Sequence, residues 1–146
     1  MIRAQCIIHR GNRILMVKHR LEGSEWWCLP GGGVETGETP QEAALRELEE
    51  ECYVKGKILQ QTGHMTDGFG LESLTFLMDI DYQEPHMGVD PEFPDPDQVL
   101  VDLQWLTLAE IPERDRAYLW AAGLLNIPVF LEEVSHWGDA LSYPDG

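Results

Sequence analysis

Apolar residues come in short bursts along this chain, and the period of their spacing changes from segment to segment. Cys6, Ile7 and Ile8 close a strand-like stretch over residues 2–8, Gly11-Asn12 marks a turn, and Ile14–Val17 returns as an apolar strand, so this pattern predicts a hairpin. Trp26–Leu29 is another short run, ended by Pro30-Gly31-Gly32-Gly33. Thr39 is then a natural N-cap, Pro40 suits the first helical position, and Glu42 completes a capping box. Ala44, Leu45, Leu48 and Cys52 follow at helical spacing, which predicts a helix over about residues 39–52 with one buried stripe. Val54–Thr62 reads as a strand, and Leu74–Tyr82 more clearly so, because Leu74, Phe76, Met78, Ile80 and Tyr82 alternate with mostly polar partners. Residues 83–98 hold four prolines and five acids without periodicity and read as a loop. Val99–Leu106 is a further strand, Ala109–Ile111 and Arg114–Leu125 are helical, and the tail from Val129 fits neither period. Strands outnumber helices and a helix interrupts them early, which predicts an α+β fold with a mixed sheet rather than an all-β barrel.

At 146 residues the chain reads as one domain, 1–146, with the tail from about 129 as a candidate accessory. Its net charge is −16, and the imbalance is graded. Residues 1–34 carry five bases and two acids, residues 35–83 three and eleven, and residues 84–146 two and thirteen. Duplex nucleic acid and anionic lipid are bound mainly through Lys and Arg, so this surface excludes both as partners. A polyanionic substrate has to be received by metal ions or by the basic N-terminal third. The three cysteines, Cys6, Cys28 and Cys52, form no CxxC and sit in apolar contexts, as buried thiols of a reducing compartment do. No apolar run approaches the ~18 residues of a membrane span and no signal region opens the chain, which points to a soluble cytoplasmic protein.

The chemistry concentrates in Gly32–Val54. On a helix, Glu47 neighbours both Glu50 and Glu51, with Cβ atoms about 5–6 Å apart. Two carboxylates at that range repel by roughly 3 kcal/mol at an effective dielectric of about 20. A hard divalent cation, Mg²⁺ or Mn²⁺, turns that repulsion into coordination, and the glycines of Pro30–Gly33 let backbone approach a metal or phosphate closely. The competing interpretation of clustered Glu is a solvated helix face, here weakened by the fixed spacing to Gly32 and Arg46.

The block reads G-x5-E-x7-R-E-L-x-E-E-x-Y-V and resembles the box of the Nudix hydrolases at every defined position but Tyr53, where the family has glycine. The resemblance implies an α/β/α sandwich around a mixed sheet, and hydrolysis of a pyrophosphate bond in a nucleoside diphosphate linked to another moiety by water attack on phosphorus. It implies Glu47, Glu50, Glu51 and the Gly32 carbonyl as ligands of Mg²⁺ or Mn²⁺. Arg46 would hold a box glutamate in place, Glu38 would help bind the metal or pair with that arginine, and Glu50, Glu51 or an acid of the 84–97 loop would be the base, with Asp90, Glu92, Asp95 and Asp97 also candidates for a further metal ligand. Candidate substrate contacts are Lys18, Arg20, Gly31 and Gly33. A homodimer is common in the family, with Val129–Leu131 and Trp137 as candidates for its interface. Auxiliary patterns of ADP-ribose, diadenosine polyphosphate and coenzyme A hydrolases are absent, which favours a nucleoside triphosphate or another pyrophosphate. The alternative is a catalytically silent Nudix-fold module that binds a nucleotide. Tyrosine adopts a left-handed turn poorly, so the last helical turn is expected to differ, with Gly56 taking over the reversal.

Overall fold

In the computed structural model, described over residues 2–87 and 99–137, the strands divide between two sheets. The first has the order β5-β1-β7-β6, built from β1 (Ile2–Ile7), β5 (Gly31–Gly33), β6 (Lys57–Thr66) and β7 (Glu72–Asp79); β1 runs parallel to β7 and the other pairs are antiparallel. The second is antiparallel around β3 (Arg13–Leu21), which pairs with β2 (His9–Arg10), β4 (Ser24–Cys28) and β8 (Val99–Leu106).

The predicted hairpin is therefore mostly not one. Only His9–Arg10 ladders with the start of β3, extended by the Leu15 N–H to Ile8 carbonyl bond of 2.9 Å. Ala4, Cys6 and Ile7 are fully buried, and a strand with such residues belongs inside a sheet, where β1 lies between β5 and β7.

Helix α1 (Pro40–Cys52) begins as its sequence dictates, with Glu42 N–H donating to Thr39 Oγ1 at 3.1 Å and Thr39 N–H to Glu42 Oε1 at 3.0 Å. Its end corrects the sequence expectation. Tyr53 itself takes the left-handed conformation (φ +56°), its N–H bonding Glu49 O at 3.0 Å, and Gly56 does not carry the reversal. The tyrosine side chain is mostly exposed, so it adds no core packing of its own to offset the strain. Tyr53→Gly should raise stability by about 1 kcal/mol, read as a higher urea midpoint at unchanged slope.

β6 starts later than expected, after Val54 has packed into the core, and β7 stops before Tyr82 because Asp81 turns left-handed at φ +54°. The second half is shorter in its helices than its pattern suggests. A 3-10 turn (Leu108–Glu110) leads to α2 (Glu113–Ala121), and Gly123 (φ +84°) ends the helical path; a Cβ there would lie 2.0 Å from Thr62 O. A second 3-10 turn (Leu124–Asn126) leads into α3 (Pro128–Val134).

Two cores result. Ala44, Leu48 and Cys52 of α1 pack with Ala4, Cys6, Leu15, Val17 and Phe76. On the opposite side Leu119, Leu124, Phe130, Val134 and Trp137 cover Ile7, Ile14 and Met16. Helices thus flank the strands on both sides, the layered arrangement the resemblance implies. Phe130 and Trp137 are buried in this chain's own core rather than offered to a second copy, while Val129 and Leu131 stay exposed. Among the described residues no helix is long and apolar enough to cross a membrane.

Candidate active site

The capped start of α1 fixes which way its acids face. Glu47 and Glu51 are buried, at 7% and 3% exposure, so they extend the helix's apolar stripe; they do not form a separate solvated face. The acids fall into two groups. Glu51 Oε1 accepts the Gly31 N–H at 2.9 Å, and its Oε2 lies 3.8 Å from His19 Nε2. Glu47 and Glu50 share one guanidinium nitrogen, Arg46 Nη1, at 2.8 and 3.3 Å.

Arg46 is the hub. Its Nε and Nη2 donate to Glu38 Oε2 and Oε1 at 2.8 and 3.1 Å, and Nη2 also reaches Gly33 O at 3.1 Å. The Arg46 guanidinium holds the Glu38 carboxyl below its ordinary range, helped by the Glu35 N–H and opposed by partial burial. Glu38 in turn, with Glu47, raises Arg46.

Gly32 sits against this cluster. A Cβ added there would stand 2.5 Å from Glu47 Cδ and Oε1, so only backbone fits beside that carboxylate. Carboxylates and a backbone carbonyl are the hard oxygen donors that Mg²⁺ and Mn²⁺ prefer. Among the described residues, no three His, Cys, Asp or Glu side chains are arranged to enclose an ion here; Arg46 is the cation that Glu47 and Glu50 share.

The proposed substrate contacts are placed differently from one another. Gly31 and Gly33 use backbone groups on Glu51 and Arg46, so both position the acids. Lys18 lies over the Trp27 ring at 4.8 Å and pairs with Glu25 at 3.8 Å; Arg20 pairs with the same carboxylate at 4.0 Å. Asp90, Glu92, Asp95 and Asp97 lie outside the described residues. The cysteines are free thiols; burial pushes Cys28 up to about 12 and raises Cys6 and Cys52 as well.

A cavity of about 710 Å³ opens between β3–β4, the β6–β7 tip and α2; Cys28 and Leu29, just ahead of the glycine run, line it, whereas the glycines, the box acids, Lys18 and Arg20 do not. Sequence reasoning missed the residues that do. Arg3 and Gln5 alternate with buried Ala4 and Cys6, and this period-2 signal puts both on the cavity face of β1. His19 shares a strand face with Leu15 and Val17, is 7% exposed, and stacks on Trp26 with centroids 5.9 Å apart. Asp115 sits in a charge run that looks solvated, yet is 2% exposed, held by Trp27 N–H at 2.9 Å and Arg114 Nε at 2.8 Å.

Residues 1–126 match the NUDIX domain model. The chain is 30% identical over 128 residues to the oxidized purine nucleoside triphosphate hydrolase of Danio rerio, covering 87% of this chain and 76% of that one. It is 42% identical over 59 residues to a diphosphoinositol polyphosphate phosphohydrolase of Mus musculus, 38% of this chain and 35% of the relative. The match spans about a third of the length of the first curated relatives. Among solved structures, the MutT NUDIX hydrolase of Burkholderia pseudomallei superposes with a TM-score of 0.65 at 25% identity, over 82% of this chain and 95% of that one. The spaced box, its glycine turn and the two-sided helical cover of the strands agree with these matches: the chain belongs to the Nudix family.

Proposed function

We propose that this chain is a divalent-metal-dependent pyrophosphohydrolase acting on a nucleoside diphosphate linked to another moiety, with a nucleoside triphosphate as the favoured substrate. The observation that carries this reading is the carboxylate cluster gathered by Arg46 and pressed against Gly32. Glu47, Glu50, Glu51 and the Gly32 carbonyl would hold Mg²⁺ or Mn²⁺. When bound, the ion polarises phosphoryl oxygens and acidifies the attacking water. The chain's own residues do the rest. Glu38 and Gly33 fix the Arg46 guanidinium, Arg46 steadies Glu47 and Glu50, and the Gly31 N–H orients Glu51. Glu50 or Glu51 accepts the proton of the attacking water.

Two observations support the finer parts of the reading. The Danio rerio relative is named for nucleoside triphosphate hydrolysis, in keeping with the missing auxiliary patterns of other specificities. Free, buried or half-buried thiols accord with a reducing compartment such as the cytoplasm. A silent binding module is disfavoured, since Tyr53 keeps the left-handed turn that the family glycine would make. The test is a panel of nucleoside triphosphates, nucleotide sugars, dinucleotides and ADP-ribose with Mg²⁺, following monophosphate, pyrophosphate and phosphate separately. Monophosphate and pyrophosphate released from a triphosphate, only when metal is present, is the expected result. Ligand-induced thermal stabilisation with no product from any member would instead favour the binding module.

A further inference from the structure

Six of the chain's ten Lys and Arg residues have a carboxylate within 4.0 Å among the described residues: Arg10, Arg13, Lys18, Arg20, Arg46 and Arg114. Of the other four, Lys55 and Lys57 are exposed, and Arg116 is buried over Trp137 with its Nη1 on Leu108 O. Arg3 remains, and it lines the cavity between β3–β4, the β6–β7 tip and α2.

Its surroundings leave the guanidinium available. Nε donates to Gln5 Oε1 at 3.4 Å and Nη2 to Leu29 O at 3.3 Å, both at the long end of hydrogen bonding. Three of the five guanidinium N–H groups are left over. β1 sets Arg3 opposite Gly33 on one side and Ser73 on the other, so it stands in the same strand row as the turn that contacts Glu47 and Glu51. In a protein of net charge −16, a half-buried arginine without a carboxylate partner among the described residues, facing a cavity, matches an anion that arrives from outside.

We propose that Arg3 is a substrate-binding residue whose guanidinium holds phosphoryl oxygens of the substrate from the cavity side. The inference rests on the pyrophosphohydrolase reading for the identity of the anion. Its fork of donors suits two oxygens of one phosphoryl group, a geometry that lysine cannot reproduce. Gln5, whose Nε2 donates to Thr75 Oγ1 at 2.9 Å, and Ser73 supply polar neighbours on the same cavity wall.

The test is calorimetric titration of the full chain with inorganic tripolyphosphate in Mg²⁺, and separately with guanosine. Arg3→Gln should weaken tripolyphosphate binding about ten- to a hundredfold and flatten its salt dependence, with guanosine binding unaltered. Arg3→Lys should recover part of the affinity, and it carries the comparison alone if Arg3→Gln fails to fold. Equal tripolyphosphate affinity in wild type and variants overturns the proposal, as does a wild type that binds no tripolyphosphate. A loss confined to guanosine also overturns it, since Arg3 would then contact the ring. Should the wild type bind tripolyphosphate through Arg3 yet cleave nothing in the substrate panel, the hydrolase reading fails while the Arg3 assignment stands.

Discussion

Replacing Glu51 by Gln is expected to lower turnover about a thousandfold, within the range that removing a metal-borne charge or a general base produces, and to leave the fold intact. The side chain is 3% exposed, and Gln can still present an oxygen to the Gly31 N–H that Glu51 Oε1 accepts at 2.9 Å. What disappears is the negative charge. Glu50→Gln should behave alike, because Glu50 supplies one of the two carboxylates that meet at Arg46 Nη1. Glu49, on the exposed side of the same helix, provides the control, and Glu49→Gln should leave turnover unchanged. Steady-state kinetics beside far-UV circular dichroism checks all three variants. Full activity in both Glu50→Gln and Glu51→Gln would remove the site assignment.

Arg46→Ala should be the most destabilising single change at the site, by about 3 kcal/mol in metal-free buffer, as when one partner of a largely buried ion pair is removed. Arg46 donates to Glu38, Glu47, Glu50 and the Gly33 carbonyl, and without it three carboxylates that are at most 22% exposed repel one another. For a chain of this size the melting temperature should fall by about 10 °C. Mn²⁺ should restore part of the loss, because the ion supplies the missing positive charge and binds only the folded state. The pH dependence has a definite sign. Glu38 is held below its ordinary range by Arg46, so its contribution is present above the unfolded glutamate pKa of about 4.3 and is lost as pH falls through the depressed folded value. The stability gap between wild type and Arg46→Ala should therefore narrow on acidification below about pH 4.5. Denaturant titrations at neutral and acid pH read the gap, and one that widens in acid would contradict the pairing.

The parts of this molecule that sequence reveals are those governed by local rules. The Thr39–Glu42 capping box and the Ala44/Leu45/Leu48/Cys52 spacing specify α1 by contacts within a few residues, and the helix begins at the residue they indicate. The strand at Val99–Leu106 also has the predicted bounds. What the sequence conceals is partner choice. β1 looks like half of a hairpin with Ile14–Val17, but it pairs with residues 26 to 70 positions away, and only complete burial of Cys6 and Ile7 reveals why.

Tyr53 shows a different limit. Propensity argues against a left-handed tyrosine, yet the packing of Val54 and Cys52 on either side fixes the reversal there, and the side chain escapes to solvent. At the candidate site, helical spacing is what sets the box acids apart in the sequence. Arg3, His19 and Asp115 carry no such signal, since each is an ordinary polar residue of its element until the cavity brings β1, β3 and α2 together. Lys18 and Arg20 were chosen for their charge, and cross-strand neighbours on β4 claim them both.

A single hard ion held between the glycine turn and the acids of α1 is what the proposed hydrolysis requires. Crystals grown or soaked in manganese test it directly through anomalous difference density. A peak bounded by Gly32, Glu47, Glu50 and Glu51 is predicted. Manganese bound elsewhere on the chain, or no peak at concentrations that saturate activity, would contradict it.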